Sequence, residues 1–444
     1  MPAARNAVVL RPELLERWTE ARLRTDELFA VVKPEFLYER PIPARHRIIF
    51  YLGHLEAFDW NLLHERLLHW EAFHPEFDRL FAFGIDPVGG GLPTDQPSDW
   101  PPLDQVREYQ RRIRERLDEA VENVLSSNAA FDGRESATQL LNVAIEHRLM
   151  HAETFTYMLH QMPLDHKHRM PGIAPRPSTH FYPKMIDVPA GSATLGLSRS
   201  SGDFGWDNEF ESHLVQVPSF SIDKYKVTNG QFLGFMDAGG YERREFWKEA
   251  DWNWKQERGI SHPGFWRRLD DRWFLNTMFD NVPLPLDWPV YVSHAEASAY
   301  AGWAGKSLPS EAQWHRAAYE TPRGSERPYP WGDDAPSPKL GNFDFHNWDP
   351  VSVAAFTNVQ SAFGVADLVG NGWEWTSTVF GPFPGFERFS FYPGYSADFF
   401  DGKHYVMKGG SSRTAACMLR RSFRNWFQAH YPYVYAGFRC VSNR

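Results

Sequence analysis

Between Leu10 and about His160 the apolar residues recur three and four positions apart, which is the spacing of one buried helical face. ELLERWTEARLRTDELFAVV, RHRIIFYLGHLEAFDWNLLHERLLHW, DQVREYQRRIRERLDEAVENVL and SATQLLNVAIEHRLMHAETFTYMLHQM each hold that spacing, so four long amphipathic helices and a bundle are predicted over residues 1–165. The pattern then breaks. PLDHKHRMPGIAPRPSTHFYP carries five prolines and a glycine, which favours an extended connection, and residues 166–184 are read as a linker. From 185 to 444 regular periodicity is scarce, and short helical stretches such as HAEASAYAGWAG and SEAQWHRAAYE stand between long Gly-, Pro- and Trp-rich loops. The second region is therefore expected to be α+β with much irregular structure, and the whole chain multidomain.

Composition narrows the class. No apolar run approaches the roughly 20 residues needed to cross a bilayer, so a membrane is excluded as the site of action. A net charge of −9 offers no basic field for phosphates, and nucleic acid is not an expected partner. The opening MPAARNAVVLRPELLERW lacks a long apolar segment followed by a small-residue cleavage site, so no secretory signal is read there. Cys417 and Cys440 are too few for a disulfide framework. A cytoplasmic protein acting on small molecules is the expectation, with the pairing of the two cysteines left open.

Eighteen histidines invite a metal hypothesis. His147 and His151 are four apart on the fourth predicted helix, so both rings leave one face and can chelate one ion. The alternative is an ordinary pair of packed or surface side chains. Glu153, about 200° further round the helix than His151, is read as supporting or structural. His54, near the start of the second helix, is the third candidate, because a bundle brings inward faces together. Its bland alternative is a core-edge histidine hydrogen-bonded to a backbone carbonyl. His64 and His69 lie five apart and face different ways. Three imidazoles suit Fe, Zn or Cu alike.

WDNEFESHLVQVPSFSIDKYKVTNGQFLGFMDAGGY, WPVYVSHAEASAYAGWAGKSLPSEAQWHRAA, DLVGNGWEWTSTVF and RNWFQAHYPYVYAGFRC follow one another in the second region. In that order they resemble the formylglycine-generating-enzyme (sulfatase-modifying-factor) fold, a C-type-lectin-like architecture. The reactive cysteine pair of that enzyme has no counterpart, because no second cysteine lies within a few residues of Cys440. A DinB-like bundle with H-x-x-x-H-x-E, here His147, His151 and Glu153, fused ahead of this fold is similar to the sulfoxide synthases of ergothioneine biosynthesis and their ovothiol relatives. The resemblance implies Fe(II) on His54, His147 and His151, and dioxygen-dependent attachment of sulfur to a histidine-derived imidazole. It places hercynine, the Nα-trimethyl betaine of histidine, on Asn425 and Trp426, whose indole suits a quaternary ammonium. A core tryptophan is the plainer reading of Trp426.

Departures from the pattern refine the expectation. Where ergothioneine-type enzymes hold the charged ends of γ-glutamylcysteine with an aspartate and an arginine, this chain has Phe427 and Tyr431. Where they carry a catalytic tyrosine, it has Phe383. Unpaired charges against apolar walls are strongly penalised, so an uncharged donor is expected. This favours the selenoneine synthase branch, which takes selenium from a selenosugar. A selenol is already ionised at neutral pH, whereas a thiol ionises near ~8.5, so less proton assistance is needed. Tyr431 and Tyr433 are the candidates to supply a hydroxyl, or else are packing residues. The same-class alternative joins cysteine or another thiol to hercynine or histidine. A non-catalytic binding module and a zinc thiol transferase are the rivals from other classes.

Overall fold

The computed structural model describes residues 2–85, 92–126, 136–170 and 181–443. The chain divides into two compact units, Met1–Met170 and Pro171–Arg444. Residues 171–180, the middle of the expected linker, lie outside the described residues. Before them the chain is ordered by pairing: His168 N donates to Val31 O at 2.7 Å and Lys33 N to His166 O at 3.1 Å.

The first unit is helical. Helix α1 spans Pro2–Val31, α2 Ile48–Leu63, α3 Pro75–Phe83, α4 Leu103–Ser126 and α5 Ala137–His160. In α2 only Phe58 and Asn61 are not buried, so it is the central helix, packed by α3, α4 and α5. A helix covered on all sides loses its polar stripe, and any charge it carries must find a partner inside the bundle. Asp59 and Glu56 do so through Arg148 of α5, at 2.6 and 2.9 Å. Arg114 of α4 adds contacts of 2.7 Å to both Glu56 and Asp26. One charge network, buried at Glu56, Asp59 and Arg148, thus joins four helices.

The helix expected to run on to Trp70 ends sooner. After Leu63 it widens into a π-helical turn, His64–Leu68, and stops at His69, whose φ of 52° is left-handed. Pro75 then opens α3, with His74 Nδ1 accepting from Phe77 N at 3.3 Å. Proline at the first helical position and a side-chain cap give this short element its own start.

The second unit is α+β. Its elements are β1 Met185–Val188, β2 Gly191–Leu195, β3 His213–Val217, β4 Phe220–Asp223, α6 Asn229–Asp237 and α7 Glu249–Arg258. They continue with β5 Trp266–Leu269, β6 Arg272–Asn276, β7 Asn281–Pro283, α8 His294–Trp303 and α9 Glu311–Tyr319. The last are β8 Trp373–Val379, β9 His404–Lys408, β10 Asn425–Gln428, β11 Ala436–Gly437 and β12 Val441–Asn443. The sheets run β1-β4-β12, β2-β3, β5-β6-β7 and β10-β9-β8-β11. Helices α8 and α9 form where the sequence places them, because Ser293 with Glu296 and Ser310 with Gln313 close capping boxes.

Buried Trp314, Phe343, Val369, Ile222 and Leu419 belong to one core cluster of this unit. At its edge Glu374 accepts from Arg439 Nε at 2.6 Å and Trp314 Nε1 at 2.9 Å, so a fully buried carboxylate is saturated. Cys417 and Cys440 are free thiols, the latter buried. Among the described residues no helix is long and apolar enough to cross a membrane.

Candidate metal centre and aromatic site

His54 leaves the middle of α2, and His147 and His151 leave one face of α5. Their candidate ligand nitrogens lie within 4.8 Å of one another. His54 Nε2 and His151 Nε2 are 3.3 Å apart. Two nitrogens each about 2.1 Å from one ion, at roughly a right angle, would lie about 3.0 Å apart, so this pair matches shared coordination. His54 Nδ1–H donates to Phe81 O at 2.7 Å, which leaves Nε2 with its lone pair toward the other rings. The buried His151 Nδ1 has no hydrogen-bond partner among the described residues.

Burial lowers all three imidazoles. His54 falls to about 4 through desolvation, with the Phe81 hydrogen bond opposing. His147 and His151 fall well below the ordinary value, again through burial first and then through their neighbouring rings. Neutral imidazole is the form a metal requires, so the trio is held ready for an ion. Aromatic rings pack around it: Phe58 stacks on His147 at 3.4 Å, Phe50 on His54 at 4.7 Å, and Tyr51 lies 5.8 Å from His151. The donor set of three neutral nitrogens leaves the charge of a bound cation uncompensated and several coordination positions open. His64 and His69 take no part; their Nδ1 atoms bond to Trp70 O and Glu65 O.

The other expected site residues all belong to the second unit, and they fall into two groups. Trp426 stacks on Phe380 at 4.2 Å, with Tyr395 at its edge at 5.4 Å and Phe399 tilted at 5.7 Å. The Arg424 guanidinium lies 5.0 Å over Phe380 and 3.9 Å over Phe383, so Phe383 is buried beneath a cation. Side chains alternate along a strand, and Asn425 and Phe427 therefore leave the face of β10 opposite to Trp426. Phe427 stacks on Tyr431 at 5.0 Å, and Tyr433 meets Tyr431 edge-on at 5.2 Å. Asn425 Oδ1 accepts from Trp426 N at 2.8 Å. Burial raises the Tyr433 phenol further above its ordinary value.

Family models match both units: the DinB superfamily over residues 17–155, and the sulfatase-modifying factor enzyme 1-like domain over 171–444. A hercynine oxygenase of Mycolicibacterium smegmatis is 31% identical over 445 aligned positions, covering 97% of this chain and 99% of that protein. The chain belongs to the hercynine oxygenase family of ergothioneine-type sulfoxide synthases. A hercynine oxygenase of Mycobacterium tuberculosis is 39% identical over 55% of this chain and 57% of its own length. Ergothioneine biosynthesis protein 1 of Neurospora crassa is 28% identical over 92% of this chain and 55% of its own length. The matches to these two therefore span little more than half of those relatives.

In this member of the hercynine oxygenase family, several residues around the trio escaped the sequence reading. Arg148, next to His147, reaches away from the rings to Glu56 and Asp59. Burial pushes the Asp59 carboxyl up, while the guanidinium groups of Arg148, Arg114 and Arg22 outweigh burial at Glu56 and hold it low. Two carboxylates three apart in an otherwise apolar helix were the available signal, since such charges require buried cations. Phe81, whose carbonyl orients His54, left no signal, because a backbone acceptor has no residue type.

Proposed function

We propose that this chain is a non-haem iron(II) enzyme that uses dioxygen to form a carbon–selenium bond on the imidazole ring of hercynine, with a selenosugar as donor. The observation that carries the metal chemistry is the trio His54, His147 and His151, whose candidate ligand nitrogens lie within 4.8 Å of one another. The printed names of the relatives, hercynine oxygenase and ergothioneine biosynthesis protein, support hercynine as acceptor. Iron(II), when bound there, would supply open coordination positions and the electrons that dioxygen chemistry needs.

The chain's own residues do the rest. Asn425, on the face of β10 opposite to Trp426, is proposed as a substrate contact separate from the ammonium site. The cluster of Trp426, Phe380, Tyr395 and Phe399 suits a quaternary ammonium, an interaction worth about 0.5–2 kcal/mol. The stacked pair Phe427 and Tyr431 presents rings where charged donors need counter-ions, and this supports a neutral donor. Tyr433 and Tyr431, whose rings meet edge-on at 5.2 Å, are the hydroxyls proposed to hold or deliver a proton. A cytoplasmic setting accompanies the proposal, as free thiols fit a reducing compartment.

A second reading, favoured by the names of the relatives, is a sulfoxide synthase joining cysteine or another thiol to hercynine or histidine. One experiment separates them: protein purified anaerobically and loaded with iron is given hercynine, air and each donor in turn. Selenosugar consumption with formation of a selenium-substituted imidazole is the expected result. Consumption of cysteine alone supports the second reading. A protein that takes up no iron overturns both.

A further inference from the structure

We infer that the short helix α3 is the positioning element of His54: its terminal carbonyl at Phe81 fixes the ring's tautomer, and Gly53 sets the distance at which it does so. The inference rests on the metal-centre reading above. The last four carbonyls of a helix have no partner within it. At the end of α3 the Leu80 carbonyl is taken by Gly84 N at 2.7 Å, whereas the Phe81 carbonyl receives His54 Nδ1–H at 2.7 Å. A carbonyl only accepts, so the proton stays on Nδ1 and Nε2 is the nitrogen left for an ion. The negative end of a helix at Nδ1–H also makes Nε2 a better donor, as hydrogen-bonded partners of metal-binding imidazoles do.

Gly53 precedes His54 on α2. Its backbone is not left-handed, so the glycine is not there for conformational freedom. A Cβ at this position would sit 2.3 Å from Phe81 Cδ1 and 2.5 Å from Phe81 Cγ. Cγ moves only by rotation about Cα–Cβ, and the packing opposes that rotation, because the ring is fully buried with Phe77 at 5.5 Å, Tyr109 at 5.7 Å and Trp100 at 6.2 Å. α3 is fastened at Asp78 as well: Asn61 Nδ2 donates to Asp78 O at 3.0 Å, and Tyr109 Oη to Asp78 Oδ1 at 2.6 Å. One added methyl group must therefore displace the helix from α2, and the Phe81 carbonyl moves off His54 with it.

The test uses the full chain with Co(II) alone as probe, competed against a chelator, and 15N-histidine spectra of the metal-free protein. In the wild type His54 should show a slowly exchanging Nδ1–H. Gly53→Ala should lose that resonance and bind Co(II) about 10- to 100-fold more weakly, with an altered ligand-field spectrum. Adding Phe81→Ala to Gly53→Ala makes room for the methyl group and should recover both readouts. Absence of the Nδ1–H form in the wild type overturns the inference whether or not any variant folds. So does Gly53→Ala with unchanged Co(II) affinity while His54→Ala binds weakly. Wild-type Co(II) affinity in His54→Ala instead sinks the metal-centre reading itself.

Discussion

Arg148, the residue that follows His147 on α5, donates to Asp59 of α2 at 2.6 Å. The same guanidinium reaches Glu56 at 2.9 Å and the Leu55 carbonyl at 3.0 Å, so it links the backbone beside His54 to the backbone beside His147. Removing it takes the hydrogen-bonding cation from buried Asp59 and leaves Glu56 with Arg114 and Gln110. Arg148→Met should destabilise the first unit by about 3–5 kcal/mol, read as a lower denaturant midpoint. A loss below 1 kcal/mol would show that the network does not hold the helices.

Only three of the histidines on α2, α5 and the turn after α2 meet. His147→Ala and His151→Ala should each abolish stoichiometric iron binding, while His64→Ala and His69→Ala, whose rings bond to nearby carbonyls, should leave it intact. Iron content per chain after anaerobic desalting is the measurement. Equal iron in all four variants contradicts the proposed centre.

The donor preference is assigned to two rings. Phe427→Asp combined with Tyr431→Arg puts opposite charges where the stack now stands, and should shift kcat/KM toward cysteine or γ-glutamylcysteine by at least about tenfold, or ~1.4 kcal/mol. Competition assays with paired donors read the ratio directly. An unchanged ratio means that the donor is chosen elsewhere.

His294 gives the second unit a pH dependence. Its ring stacks on Tyr405 at 3.7 Å and Nε2–H donates to Thr376 O at 3.2 Å. Burial, with a smaller push from Lys248, drives it down to about 3. The unfolded chain takes up its proton near 6.5 and the folded one only near 3, so stability is lost as pH falls through that window. At pH 5 the penalty is about 2 kcal/mol. His294→Gln should flatten the stability profile between pH 7 and 5 by that amount. Parallel profiles for the two proteins would refute the assignment.

Much of the first unit was legible because four of its helices carry strong periodicity. The break at His69 was not, since a left-handed histidine and a widened turn leave the apolar spacing intact through Trp70. α3 hid for the same reason that it matters: at nine residues it is too short to show a period, and it contributes through a backbone atom. The spacing of His147 and His151 declared itself, and His54 followed from bundle logic. In the second unit α8 and α9 were visible, whereas strands of two to seven residues, such as Ala436–Gly437 and Trp373–Val379, are defined by their partners more than by their own residues. The split of the aromatic residues across the two faces of β10 needs the strand's limits, which no single residue announces.

Because His54, Glu56 and Asp59 share the one helix that the bundle wraps, the proposed metal centre would couple holding an ion to staying folded. An ion bound only by the native state, at a hundred times its dissociation constant, adds about 2.7 kcal/mol to stability. The survival of this protein in a cell would then track the supply of its metal, with starvation softening the helical half before any substrate is lost.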